Sequence, residues 1–354
     1  MCNGSSVILR RAKLSLSVKQ KLNRVIPLIA FLGASTSLAA CTYSPVAAQI
    51  GGQTITQSEL NTELKALLGN SAFLKQLTSS STGSSVENSL SASPKYVLST
   101  AFVDKVLQRR ITFDLIKEAL KKSGQTVGSD QVTIGTALAI SSYGGPTIFG
   151  AFPKSYQLEV IDDYAALVTI EGSLTKTDFS LSALQSYYST HLSDYVNICA
   201  AHILSTTASA ANSILAKLNA GSSFVVLART DSADSTTAQN GGYIGCALPS
   251  QFSSSFGASF ANEIKTGPIN KPLPIVAVGS GYSIPLVASR SQLTFSQSLA
   301  AIATTKLGAT GGAVVNAFVA GAAKSANVTV SPQYGTFSAS VSGLNITAPA
   351  TPAP

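Results

Sequence analysis

Residues that carry charge or titrate near neutral pH are few. Of 354 residues only two are histidine, His191 and His202, and charged residues make up 11%, well below a usual ~25%. His202 sits in the apolar run Ala200-Ala201-His202-Ile203-Leu204. An imidazole titrates near neutral pH and can serve catalysis, but a lone His by a strand start is as often a hydrogen-bonded core residue. Asp234, with Ser235 beside it, lies in a Ser/Thr-rich loop and could carry chemistry or simply start a turn. Phe252, Phe256 and Phe260 recur at helical spacing; such a row lines a pocket or packs a core, and at least one of the three is expected in the core. The sequence has no His/Cys cluster, no Gly-rich phosphate loop and no Cys-x-x-Cys, so no metal, nucleotide or redox cofactor is expected.

The net charge of +8 belongs to the beginning of the chain. Residues 1–40 hold six of the 24 basic residues and none of the 16 acidic ones, which leaves the remainder at +2. No dense basic patch survives there, so nucleic-acid binding is set aside. The apolar stretch Val25 to Ala40 has 16 residues, short of the ~20 a spanning helix needs. Basic residues, then this stretch, then small residues read as an export signal over 1–40. It ends in Leu38-Ala39-Ala40-Cys41, which resembles the lipobox of bacterial lipoproteins. That resemblance implies cleavage before Cys41, lipidation of its thiol and a tether over 41–47. The alternatives are ordinary secretion with a chance Cys, or an uncleaved anchor.

The elements that follow must position those few polar groups. Ile50 to Thr56 reads as a strand and a Gly51-Gly52 turn, and Thr56 with Glu59 forms a capping box for a helix carrying Leu60, Leu64, Leu67 and Leu68. Thr78 to Ser89 reads as a loop. Further helices are expected over 95–122 with Phe102, Val106, Phe113, Ile116 and Leu120, from Ser129 to Ser141, over 156–174 with Leu158, Ile161, Ala165 and Val168, and after Ser180. Residues 48–195 thus form a mostly helical domain. The character changes at Asn197. A strand over 198–204, helices from Ala208 and Phe224, a turn at Asn240-Gly241-Gly242, a strand over 243–247, a helix over 252–264 and two strands near 275 and 283–288 make an α+β unit of normal domain size. Helical spacing returns over 291–327, broken at Gly308 to Gly312, with a strand-like Val328-Thr329-Val330 and a Pro-rich tail over 347–354 that should be disordered.

Ala200 to Leu204, then Leu218 to Phe224, then Asp234 to Gly245 and the closing Gly281-Tyr282-Ser283-Ile284 resemble, in order and spacing, the parvulin peptidyl-prolyl isomerase domain over about 197–289. The flanks, Ile50 to Leu68, Ile111 to Gly124 and Leu184 to Tyr188, are similar to the N-terminal chaperone domain of the SurA and PrsA exported chaperones. The resemblance implies a multidomain chain: a mostly α-helical chaperone domain over 48–195, an inserted α+β parvulin domain with a small antiparallel sheet over 196–290, and a C-terminal helix and strand over 291–346 that return to the helical domain, where Val314, Val315 and Phe318 offer a cover.

Parvulins isomerise X-Pro bonds, whose barrier of ~18–20 kcal/mol makes uncatalysed exchange slow. The resemblance implies a polar set of His202 with Asp234 or Ser235 near the twisting carbonyl and a proline pocket walled by Phe252, Phe256 and Phe260. The second parvulin His should follow Gly281-Tyr282, and this chain has Ser283 there, which can hydrogen-bond but cannot replace an imidazole. Apart from Cys2 and Cys41, the cysteines are Cys199 and Cys246; export permits a bridge, and the resemblance places both in one sheet. The expected function is an extracytoplasmic, lipid-anchored folding factor acting on newly exported polypeptides and their X-Pro segments. The rivals are a non-catalytic holdase with a degenerate parvulin domain and a surface lipoprotein with another binding task.

Overall fold

Thr56 ends a hairpin and starts a helix. In the computed structural model, which describes residues 45–79 and 100–349, β1 (Val46–Ile50) and β2 (Gln53–Thr56) pair antiparallel across a turn that Gly51 takes at φ 57°. The export signal, Cys41, most of the loop over 78–89 and the last five residues lie outside the described residues. The Thr56 hydroxyl accepts the Glu59 amide at 3.2 Å while the Glu59 carboxylate accepts the Thr56 amide at 2.7 Å, so α1 (Gln57–Gly69) begins at a reciprocal cap. Leu60, Leu64 and Leu67 are buried. Then come α2 (Ser71–Ser79), α3 (Thr100–Lys122), α4 (Ser129–Ser142), α5 (Pro146–Gly150), α6 (Lys154–Thr175) and α7 (Leu181–Thr190). The face α6 buries runs through Tyr156, Val160, Ala165, Ala166, Val168 and Ile170, and Leu158, expected on it, is instead 54% exposed.

β3 (Val196–Ser205) opens the α+β unit. It continues through α8 (Ala208–Asn219), α9 (Phe224–Asp231), α10 (Ser235–Ala238), β4 (Tyr243–Ala247), α11 (Pro249–Phe256), α12 (Ala258–Thr266), β5 (Val276–Val278) and β6 (Gly281–Gln292). The strands form a four-stranded antiparallel sheet in the order β4-β3-β6-β5. The single helix expected over 252–264 is two, because Gly257 takes φ 91° between α11 and α12.

The chain then returns to the helical part. In α13 (Phe295–Ser325) the helix is broken at Gly308, at φ 56° and ψ 174°, and its two halves serve different cores. Leu299, Ile302 and Ala303 pack with Ile134, Val168, Leu184 and Tyr188. Val315, Val319 and Ala323 pack with Ile50, Leu107, Ile111 and Leu115. Phe318 is partly buried against that second core, whereas Val314, named as part of the cover, is 37% exposed. Each fully buried side chain of this kind contributes roughly 1.5–3 kcal/mol of transfer free energy. β7 (Thr329–Val330) pairs antiparallel with β1, Ala48 facing Val330, so the chain after α13 rejoins the sheet that its first strand began. A hairpin that the sequence reading did not contain follows, β8 (Thr336–Ser340) and β9 (Gly343–Thr347), with Leu344 and Ile346 in the helical core. Thr347 closes β9 opposite Thr336, so it is a strand residue and not the start of a disordered tail.

The helical core also holds charge. Arg109 bonds Glu63 at 2.8 Å and Asp163 at 2.5 Å, Arg110 bonds Glu159 at 2.9 Å, and Lys117 bonds Asp163 at 2.6 Å. Burial pushes the Glu63 and Asp163 carboxyls up and the Arg109 guanidinium pulls them back. Their paired charges fix how α1, α3 and α6 meet.

Candidate active site

Register along β3 sets the site. Leu204 faces Ser283 and His202 faces Pro285 across β6, so His202 and Ser283 are diagonal neighbours on one face of the sheet. The Ser283 hydroxyl lies 3.2 Å from His202 Nδ1. On the side of β3 away from β6, the His202 amide donates to O of Gly242, in the turn before β4, at 2.8 Å, just past the bulge between Ala200 and Ala201. Only glycine fits position 242: φ is 79° and a Cβ would stand 2.2 Å from His202 O.

Asp234 arrives from the loop after α9. Ala233 donates its amide to Leu204 O at 2.8 Å, and the Ser232 hydroxyl accepts the Leu204 amide at 3.1 Å and the Asp234 amide at 3.3 Å. This stitches the loop to β3 and brings Asp234 Oδ2 to 2.9 Å from His202 Nε2. The same oxygen accepts the Thr237 hydroxyl at 2.6 Å, while Oδ1 caps α10 by accepting the Thr236 amide at 3.0 Å. Burial opposes ionisation of this carboxyl, but the hydrogen bonds from Thr237, His202 and Thr236 outweigh it and lower its pKa to about 2. Asp234 is therefore an anion at neutral pH. Between Asp234 and Ser235, the group that meets His202 is Asp234; Ser235 is exposed on the first turn of α10.

The order Ser283, His202, Asp234 is that of a nucleophilic triad, yet the geometry excludes the hydrolytic reading. Ser283 is 0% exposed and His202 2%, and a nucleophile must reach its substrate. His202 bonds the Asp234 carboxylate through Nε2 and the Ser283 hydroxyl through Nδ1, and the ring is fixed at both ends. The Asp234 side chain is 21% exposed, so the negative charge comes to the surface and the imidazole that holds it does not.

The aromatic row divides. Phe252 and Phe260 are core, packed with Ile198, Ala200, Ile264 and Val287, so they do not form an open pocket wall as expected. Phe256 is half-buried; it stacks on Phe260 at 4.7 Å and meets the His202 ring edge-on at 5.3 Å. An apolar ring face thus lies beside the carboxylate network. His191 stays in the helical part, stacked on Tyr187 at 3.9 Å. Cys199 and Cys246 face each other in register across β3 and β4, with Cα atoms 3.9 Å and sulfurs 1.97 Å apart. Among the described residues no three His, Cys, Asp or Glu side chains gather as metal ligands, and no helix is long and apolar enough to cross a membrane. Sequence reasoning missed Thr237 and Ser232, although both are hydroxyl residues within three positions of Asp234, where side chains commonly bond back to a turn.

The sequence profile of the PPIC-type PPIASE domain matches residues 195–289. No curated protein matches the chain. Among solved structures the chain is similar to the peptidylprolyl isomerase PrsA from Bacillus cereus, at 15% identity over 82% of this chain and 95% of that one with a TM-score of 0.34. It is similar to the foldase protein PrsA from Streptococcus pneumoniae, at 16% identity over 81% and 95% with a TM-score of 0.36. The foldase protein PrsA from Lactococcus lactis matches at 13% identity over 82% and 96%, with a TM-score of 0.28.

Proposed function

We propose that the chain, with a PPIC-type domain over 195–289, is an extracytoplasmic folding factor that binds newly exported polypeptides and isomerises their X-Pro bonds. The observation that carries this reading is the half-buried Phe256 ring against the edge of His202, the same buried imidazole that, with Ser283 on its other side, holds an ionised Asp234. A planar amide is stabilised by a resonance form with negative charge on the carbonyl oxygen. A fixed anion near that oxygen raises the energy of the planar form relative to the twisted one, where the charge separation is smaller, and so lowers the barrier. The proline ring rests on Phe256. In the same reading the export signal is cleaved before Cys41, a lipid on Cys41 holds the chain at the outer face of the cell membrane, Cys199 and Cys246 form a disulfide, and the helical residues 48–195 with 291–346 make the chaperone part into which the isomerase unit is inserted.

The second reading is a holdase without catalysis. It is favoured by Ser283 standing where the resemblance calls for the second imidazole and by the depth of His202. Holding an apolar segment needs burial alone, whereas acceleration needs contacts that strengthen in the transition state. The deciding experiment assays the mature chain and its His202→Ala variant for proline isomerisation in a coupled peptide assay and for suppression of client aggregation. The isomerase reading expects parent activity that drops at least about tenfold in the variant, with client protection kept. A parent without isomerase activity that still protects clients would overturn it in favour of the holdase.

A further inference from the structure

We propose that Thr237 is a positioning residue for the Asp234 carboxylate, holding by its hydroxyl the same oxygen that His202 holds. The inference rests on the isomerase reading only for what the carboxylate is used for; the placement stands on the geometry.

Asp234 is attached to the sheet by its backbone, through Ser232 and Ala233, and this leaves rotation of the side chain to be set by other groups. Oδ1 is taken by the Thr236 amide at 3.0 Å. Oδ2 has two donors, His202 Nε2 at 2.9 Å and Thr237 Oγ1 at 2.6 Å. These come from opposite sides of the network: His202 from the middle of β3, Thr237 from the third residue of α10. Without the hydroxyl, one imidazole bond would hold the oxygen.

Thr237 is tied down at its other end as well. Its carbonyl accepts the Asn240 amide at 2.9 Å and the Gly242 amide at 3.0 Å, and Gly242 O in turn accepts the His202 amide at 2.8 Å. One residue thus joins the carboxylate, by its side chain, to the backbone turn that carries His202's own partner. A closed circuit runs from His202 through Asp234, Thr237 and Gly242 back to His202. A hydroxyl in such a circuit is oriented before substrate arrives, and fixed geometry of this kind separates a site that binds from one that accelerates. Thr236, one residue earlier, contributes only its amide, so its side chain is the natural control.

The experiment uses the mature chain, 13C-labelled at aspartate carboxyls, and follows Asp234 by NMR from pH 6 downward, with the signal assigned through Asp234→Asn. Parent, Thr237→Val, Thr237→Ser and Thr236→Val are compared. A charge-assisted hydrogen bond to the ionised form is lost in the valine variant, so its midpoint moves up by about one pH unit, while Thr237→Ser and Thr236→Val stay with the parent. Thr237→Ala is read in the same way should valine prevent folding. In the coupled isomerisation assay kcat/KM falls about fivefold in Thr237→Val and recovers in Thr237→Ser. An unmoved midpoint in both Thr237→Val and Thr237→Ala would overturn the proposal, as would an equal shift in Thr236→Val. A parent inactive on proline would sink the isomerase reading and leave the titration to decide the role of Thr237.

Discussion

Glu171 offers a prediction whose sign and size follow from where it sits. The side chain is on α6, 2% exposed, and its Oε1 has no hydrogen-bond partner. It lies directly on Gly311 of α13, where a Cβ would come within 1.7 Å of that oxygen. Burial raises its ionisation from 4.5 to about 7. A carboxyl that ionises near 4.5 in the unfolded chain and about 7 in the folded one binds its proton more tightly when folded. Its contribution to stability is complete below the unfolded value and is lost as pH rises through about 7. The full difference corresponds to about 3 kcal/mol, most of it lost between pH 5 and pH 8. Asp104 and Asp114, both raised to about 6 with burial the leading cause, slope the same way, so the perturbation must be specific: Glu171→Gln, which keeps the shape and removes the charge. Urea unfolding of the chain and the variant at pH 5 and pH 8 measures the effect. The parent should lose about 2 kcal/mol more than the variant across that interval, with amide exchange in α13 rising at pH 8 in the parent alone. Equal pH slopes for parent and variant would show that Glu171 ionises as an exposed carboxylate does, and the argument from its burial would be refuted.

Three further outcomes are expected. Arg109→Met should destabilise the chain by about 3–5 kcal/mol in urea unfolding, because Glu63 and Asp163, with side chains 1% and 4% exposed, lose their main cation; a change below about 1 kcal/mol would mean that Arg110 and Lys117 suffice. Gly242→Ala, which forces a Cβ to 2.2 Å from His202 O at φ 79°, should cost about 2 kcal/mol or more and, on the isomerase reading, abolish activity, and a variant with parental stability would contradict the turn's role. Replacing Cys199 and Cys246 by Ser should lower stability by up to about 4 kcal/mol for this 47-residue separation and make it insensitive to reductant, whereas a parent equally insensitive to reductant would argue that no bond forms.

What could be read directly from the sequence was local. The Thr56 and Glu59 cap joins residues three apart, and the turn at Gly51 needs one residue with positive φ; such choices are made by a few dihedrals and are written in adjacent residue types. The ordered motifs from Ala200 to Ile284 carried the strands and most of the helices over 195–289 for the same reason, but not the short helix at Ser235–Ala238 or the break at Gly257. The β8–β9 hairpin was not legible, since its strands are short and rich in Ser, Thr and Gly, and their two buried anchors, Leu344 and Ile346, make a weak alternation. Residue type also could not say which of Phe252, Phe256 and Phe260 faces solvent, because that depends on what packs over α11 and α12. The bond between His202 and Ser283 spans 81 positions and exists only because β3 and β6 pair in one register; a slip of one residue would turn Ser283 to the other face. Glu171 against Gly311, and Glu63 between Arg109 and Arg110, are decided in the same way, by helices that meet far apart in the chain. Short-range conformational preference is a property of neighbouring residues, whereas burial and the pairing of buried charge are properties of the closed fold, and it is the fold that decides which of this chain's few polar groups can act.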